Sequence, residues 1–215
     1  MRPGQYVAAS GRRLLSSLAR NTAIPASVET LTSDANGADG VLHPDTVRTY
    51  LEALDRLMVT DDVPAWRPAL RSRSRLRSTP VRHLADPALA TAALNAAPAR
   101  LLRELNWMGL LFESLAVRDL RVYASALGGE VLHYRDNTGL EADAIVELAD
   151  GRWAGFEIKL GSSASVVDAA AASLLRLRDR VAGEEPVALC VITGTGYALI
   201  RRDGVLQIPI GSLSA

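Results

Sequence analysis

Apolar residues recur at helical spacing in three early stretches of this chain. Residues 11–20 carry a leucine and alanine stripe that predicts one helix, and Pro25 followed by residues 26–31 predicts a second, shorter one. His43-Pro44-Asp45 then opens a third helix, with proline in its first turn. Val47, Tyr50, Leu51, Leu54, Leu57 and Met58 form the stripe this helix is expected to bury. Three helices in this order predict a helix-turn-helix core. After an Asp61-Asp62 turn, residues 63–66 read as the first strand of a wing.

Residues 80–95 hold Asp86-Pro87 and an alanine-rich helix, read as the join between two halves, and Pro98 marks the expected boundary. The expected domains are therefore 1–98 and 99–215. Beyond Leu101 the pattern changes to a long apolar helix reaching about residue 127, stopped by Gly128-Gly129. Strand signals follow over 130–136, 141–148 and 152–160, then a helix over 165–181 and strands over 186–193, 197–201 and 205–208. The succession is αβββαβ, an α/β (α+β) arrangement in which helices pack on a mixed sheet.

The hairpin of 141–148 and 152–160 carries chemistry. Ala142, Ala144, Val146 and Leu148 alternate with Glu141, Asp143, Ile145 and Glu147 on the first strand; Ala154, Phe156, Ile158 and Leu160 alternate with Trp153, Gly155, Glu157 and Lys159 on the second. Putting both apolar sets on one core face requires a register in which Asp143 faces Glu157, because a slip of one residue turns a whole strand over. A three-residue loop, Ala149-Asp150-Gly151 with Gly151 left-handed, satisfies that register. It also sets Glu141 opposite Lys159, with facing β-carbons about 4.5–5.5 Å apart.

Two facing acids repel, so a cation between them is the natural compensation. Mg²⁺, or Mn²⁺ in its place, prefers such oxygen ligands and keeps waters for a phosphate. Asp143 and Glu157 are the expected metal ligands, and Lys159 is expected to orient the nucleophile or neutralise the transition state. Glu113 is the only charged residue between Leu105 and Val117. As an acid in an apolar helix it is read as a further metal ligand and catalytic residue, the alternative being an ordinary carboxylate meeting Arg135 or Arg118.

Composition sharpens this picture at two points. Of the 24 basic residues only Lys159 is a lysine, so a chain otherwise using arginine keeps its one ammonium beside the paired acids. Formal charge is zero overall, yet 1–105 holds fourteen basic against ten acidic residues and 106–215 the reverse. In 71–77, Arg71, Arg73, Arg75 and Arg77 recur every second residue, so an extended chain puts four guanidinium groups on one face. Together with Arg48 they are the expected contacts to nucleic-acid phosphates. A solvated edge strand guarded by charge explains the stripe equally well. Cys190 sits in an apolar run as a small core residue, and His43, His83 and His133 are too scattered for a zinc site. No apolar run reaches membrane-spanning length and no signal segment opens the chain, which predicts a cytoplasmic protein.

Asp143 followed by Glu157-Ile158-Lys159 resembles the Asp…Glu-X-Lys signature of the PD-(D/E)XK nuclease superfamily. More of the chain resembles the carboxy-terminal domain of unknown function of predicted bacterial and archaeal AAA-type ATPases. The resemblance rests on residues 43–57, Pro80…Asp86-Pro87-Ala88-Leu89, Gly109-Leu110-Leu111-Phe112-Glu113, Tyr134-Arg135-Asp136, Gly139-Leu140-Glu141-Ala142-Asp143 and Glu157-Ile158-Lys159. It implies a winged-helix-like domain followed by a restriction-endonuclease-like domain, acting on DNA with Mg²⁺ and partnered by an AAA-type ATPase, with homo-oligomerisation left open. A non-catalytic DNA-binding or ATPase-partner module is the alternative. The Gly-X-X-X-X-Gly-Lys-Ser/Thr loop is missing from the sequence, so no ATP site of that kind is expected in this chain.

Overall fold

The computed structural model describes residues 3–37, 40–67, 79–181 and 185–213. Chain contacts divide into two compact units, Met1–Asp62 with Thr79–Ser114, and Val63–Ser78 with Leu115–Ala215. In the sequence after Thr79 the contacts change unit between Ser114 and Leu115.

The first unit is helical. It comprises α1 (Pro3–Arg20), β1 (Ile24–Pro25), α2 (Val28–Ala35), α3 (Pro44–Arg56), β2 (Val81–Arg82), α4 (Pro87–Ala93), α5 (Pro98–Leu101) and the first part of α6 (Leu105–Ala126). Local chemistry sets the helix starts: Ser27 accepts from the Thr30 N–H at 3.2 Å, and Asp86 accepts from the Ala88 N–H at 2.7 Å. Pro44 and Pro87 occupy first turns, where the missing N–H costs nothing. Leu14, Leu18, Leu31, Val47, Leu84 and Ala90 close the core of this unit. β1 and β2 pair antiparallel, and the Arg82 guanidinium is held by the Ala26 carbonyl and Asp62.

The expected stripe of α3 holds for Val47, Tyr50, Leu51 and Leu54 but fails at Leu57 and Met58, which are 71% and 82% exposed. The helix ends at Arg56, and Met58 turns left-handed at φ 54°, so the helical phase that would have buried them is lost.

The second unit holds the rest of α6, then β3 (Gly129–Arg135), β4 (Glu141–Leu148), β5 (Trp153–Lys159), α7 (Ala164–Arg180), β6 (Ala188–Thr193), β7 (Leu199–Ile200) and β8 (Leu206–Pro209), closed by a short 3₁₀ turn. The αβββαβ succession is present. Its six strands form one mixed sheet in the order β3-β4-β5-β6-β8-β7, antiparallel at β3–β4–β5 and β7–β8, parallel at β5–β6–β8.

Both faces of the sheet centre are buried, where the sequence predicted one. Ala144, Ile158, Cys190 and Ile192 are buried as expected, but Ile145, Trp153, Leu189 and Val191 are buried too, in the core that α7 joins through Val167, Leu174 and Leu177. The crossover between parallel β5 and β6 is long enough to hold α7, which is why that face is covered.

The expected wing strand is corrected by its pairing. Ala65 bridges His133 of β3, with the His133 N–H donating to the Pro64 carbonyl at 2.9 Å and the Trp66 N–H to the His133 carbonyl at 2.7 Å. Trp66 explains the preference. Its ring lies 4.8 Å from that of Trp153 and edge-on to Tyr134, and its indole N–H donates to Glu147 at 3.0 Å. Arg71, Arg73, Arg75 and Arg77 lie outside the described residues. Among the described residues no helix is long and apolar enough to cross a membrane.

Candidate active site

The hairpin register matches the one its alternation predicts. Ile145 faces Gly155 and Ala144 faces Phe156, while the Leu148 N–H to Arg152 carbonyl bond closes the loop 149–151, with Gly151 at φ 87°. The ladder between β4 and β5 stops at Ala144. Beyond it the Ile158 N–H donates to the carboxylate of Asp143 at 2.7 Å.

A bulge accounts for this change. Leu132 faces Ile145 and Tyr134 faces Ala142, so Asp143 and Ala144 together stand opposite His133 alone. An extra residue on one strand bends it and re-aims its side chain. Asp143 is thereby turned toward β5, and its Oδ2 meets the Lys159 ammonium at 2.9 Å.

Lys159 also reaches Glu157 Oε2 at 2.6 Å. One ammonium thus sits between the two carboxylates. The expected facing of Glu141 with Lys159 is not formed, because the β4–β5 ladder stops at Ala144, and the Glu141 carboxylate instead meets the Arg135 guanidinium at 3.4 Å. The side chains of Glu157 and Asp143 are 6% and 13% exposed against 33% for Lys159, so the group is open to solvent mainly at the amine.

Burial first, and the nearby charge of Asp143 second, push the Glu157 carboxyl up to about 7, against the Lys159 ammonium and the Ser173 hydroxyl. Burial disfavours the ammonium of Lys159, but Asp143 and Glu157 outweigh it and hold its pKa above the ordinary lysine value. The donor set suits a hard cation, since a buried acid pair that resists double ionisation gains from added positive charge. Among the described residues, no three His, Cys, Asp or Glu side chains gather in a group able to hold a metal ion. Glu113 lies half-buried in the part of α6 that belongs to the first unit.

A cleft of about 680 Å³ opens over Glu157 and Lys159. One wall is the loop from Thr138 to Glu141, shaped by Asp136, whose Oδ1 accepts from the Thr138 N–H and hydroxyl at 2.7 Å each and from the Leu140 N–H at 3.1 Å. The other wall is α7, which contributes Ser173, Arg176 and Arg180. No sequence motif marks these three, although their i, i+3, i+7 spacing places them on one helical face. Arg48, expected to contact nucleic acid, lies on α3 and pairs with Asp45 at 2.6 Å and Glu29 at 3.4 Å.

Comparison with known proteins adds a class at the level of domains. Residues 5–100 match a domain of unknown function, DUF8612, and residues 108–213 match another, DUF4143. No curated protein matches the chain. Among solved structures, a chain from the assembly of Thermococcus gammatolerans McrB AAA+ hexamers with bound McrC is similar at 12% identity and a TM-score of 0.34, over 92% of this chain and 70% of that one.

Proposed function

We propose that the second unit is a restriction-endonuclease-like domain that cleaves DNA with Mg²⁺, and that it works beside an AAA-type ATPase module. The convergence of Asp143, Glu157 and Lys159 on one point carries this reading. The resemblance of the chain's motifs to the carboxy-terminal domain of AAA-type ATPases supports the ATPase partner, and the helical first unit is read as a helix-turn-helix-like DNA-binding module.

Asp143 and Glu157 would hold the metal. When bound, Mg²⁺ supplies charge to a phosphate oxygen and lowers the pKa of a coordinated water. Asp143 is aimed by its bulge and fixed by the Ile158 N–H, so its carboxylate is oriented before any ligand arrives. Glu157 is poised near neutrality and can give up its proton as positive charge enters the site. Lys159 is the one member exposed enough to reach a phosphate, and it brings a fixed positive charge to it.

Incubation of the full chain with single-stranded and duplex DNA in Mg²⁺ or Mn²⁺ tests this. Cleavage is expected, with Lys159→Ala and Asp143→Asn slower by roughly 10²-fold or more. Equal cleavage by Lys159→Ala removes the lysine from the mechanism, and no cleavage of either form rejects the nuclease reading. A second reading has its own observation: Lys159 already neutralises both acids, and no third metal-ligating side chain gathers with them among the described residues. On that reading the fold survives as a DNA-binding or ATPase-binding platform without turnover.

A further inference from the structure

The cleft over Glu157 and Lys159 carries more positive charge than its own groups use. Lys159 is engaged by the two carboxylates, and Glu141 is engaged by Arg135. What remains is the α7 wall. Arg176 is exposed, lines the cleft, and has no ion pair or hydrogen bond among the described residues. Arg180, one turn further on, lines the same wall and is tied only loosely, with Nε 3.7 Å from Asp136 Oδ2. Arg178 between them is absent from the wall: it turns to Asp179 at 2.8 Å.

Arg178 falls on another face of the helix, whereas Arg176 and Arg180, four residues apart, share the face that lines the cleft over the acid pair. Guanidinium forks match phosphate oxygens, and side chains four residues apart on a helix lie about 5–6 Å apart. Phosphates of one DNA strand step by about 3.4 Å along the duplex axis, within the reach of two such long side chains. Ser173, a turn before Arg176, lies nearest the acids: its hydroxyl donates to the Glu141 carbonyl at 3.3 Å.

We propose that Arg176 and Arg180 form a phosphate clamp on α7, which holds the DNA backbone in the cleft and delivers one phosphodiester to Asp143, Glu157 and Lys159. The clamp rests on the reading of that site as one acting on DNA. It places backbone recognition on α7 of the second unit. Asp136 keeps Arg180 near the cleft mouth, and a phosphate draws it inward by offering the fork two oxygens in place of one distant carboxylate oxygen.

Fluorescence anisotropy with a short labelled duplex and the matching single strand, in EDTA over a range of salt, tests the clamp on the full chain without cleavage. Arg176→Ala should weaken binding on the order of tenfold and lower the slope of log K against log salt by about one. Arg176→Ala with Arg180→Ala should lower it by about two. Arg176→Lys should keep the slope while losing part of the affinity, since the charge stays and the fork goes. Arg176 supports no other group, so its variants report binding even where loss of Arg180 unsettles Asp136. Unchanged affinity and slope in Arg176→Ala, or undetectable binding by the wild type, overturns the clamp. Binding that depends on Arg176 in a protein that cleaves nothing overturns only the nuclease reading; cleavage that survives Arg176→Ala at full rate and affinity overturns only the clamp.

Discussion

Glu157 is a buried acid whose proton is held by burial and by Asp143, and this has a consequence for stability. Its carboxyl titrates near the ordinary 4.5 when the chain is unfolded and at about 7 when it is folded. Between those values the folded state holds a proton that the unfolded state has released, so stability falls as pH rises through the window. Lys159 does not contribute there, because its raised pKa lies far above it and the amine is charged in both states. The melting temperature should therefore drop between pH 4.5 and 7, and Glu157→Gln should flatten that slope, measured by thermal unfolding at a series of pH values. A wild-type slope of the opposite sign, or one that Glu157→Gln leaves intact, means the acid is not held as the site geometry requires. The same residue accounts for the role of lysine in a chain that otherwise uses arginine. A compact ammonium can sit between two carboxylates that a planar guanidinium fork would engage edge-on.

At the scale of elements, the site depends on a distortion in β4. The bulge that turns Asp143 stands opposite His133, and His133 is the residue whose backbone pairs with both Pro64 and Trp66. The segment that ends at Trp66 thus braces the strand pair at the point where Asp143 leaves its ladder. Trp66 is almost completely buried, so Trp66→Ala removes a large side chain and strands the Glu147 carboxylate. A loss on the order of 3–5 kcal/mol is expected from denaturant unfolding of the full chain. Trp66→Phe keeps most of the packing and loses only the indole hydrogen bond, at about 1 kcal/mol. A Trp66→Ala protein as stable as the wild type would mean that this segment is an ornament on the sheet rather than part of it.

For the whole molecule, the sequence carried the succession of elements and the hairpin register, because strand alternation with a period of two and an odd loop leave little freedom. It also pointed to Asp143, Glu157 and Lys159, which the fold brings within hydrogen-bond distance. The bulge was not legible, since the alternation of β3 and β4 continues through it; it lies opposite His133, which pairs with chain some seventy residues earlier. Nor were the exposed Leu57 and Met58, where a left-handed residue ends the helix against its apolar pattern. The second buried face followed from a crossover helix whose small and apolar residues read equally well as any amphipathic surface. The α7 arginines were visible as letters, but only the cleft gives them a common direction. The central claim is that the acid pair is built for a divalent ion, and calorimetric titration of the full chain with Mg²⁺ and Mn²⁺ above pH 7 tests it most directly. Saturable binding of about one ion, abolished in Asp143→Asn and in Glu157→Gln, is the predicted result. Absence of binding in the wild type, or binding that both variants retain, contradicts it.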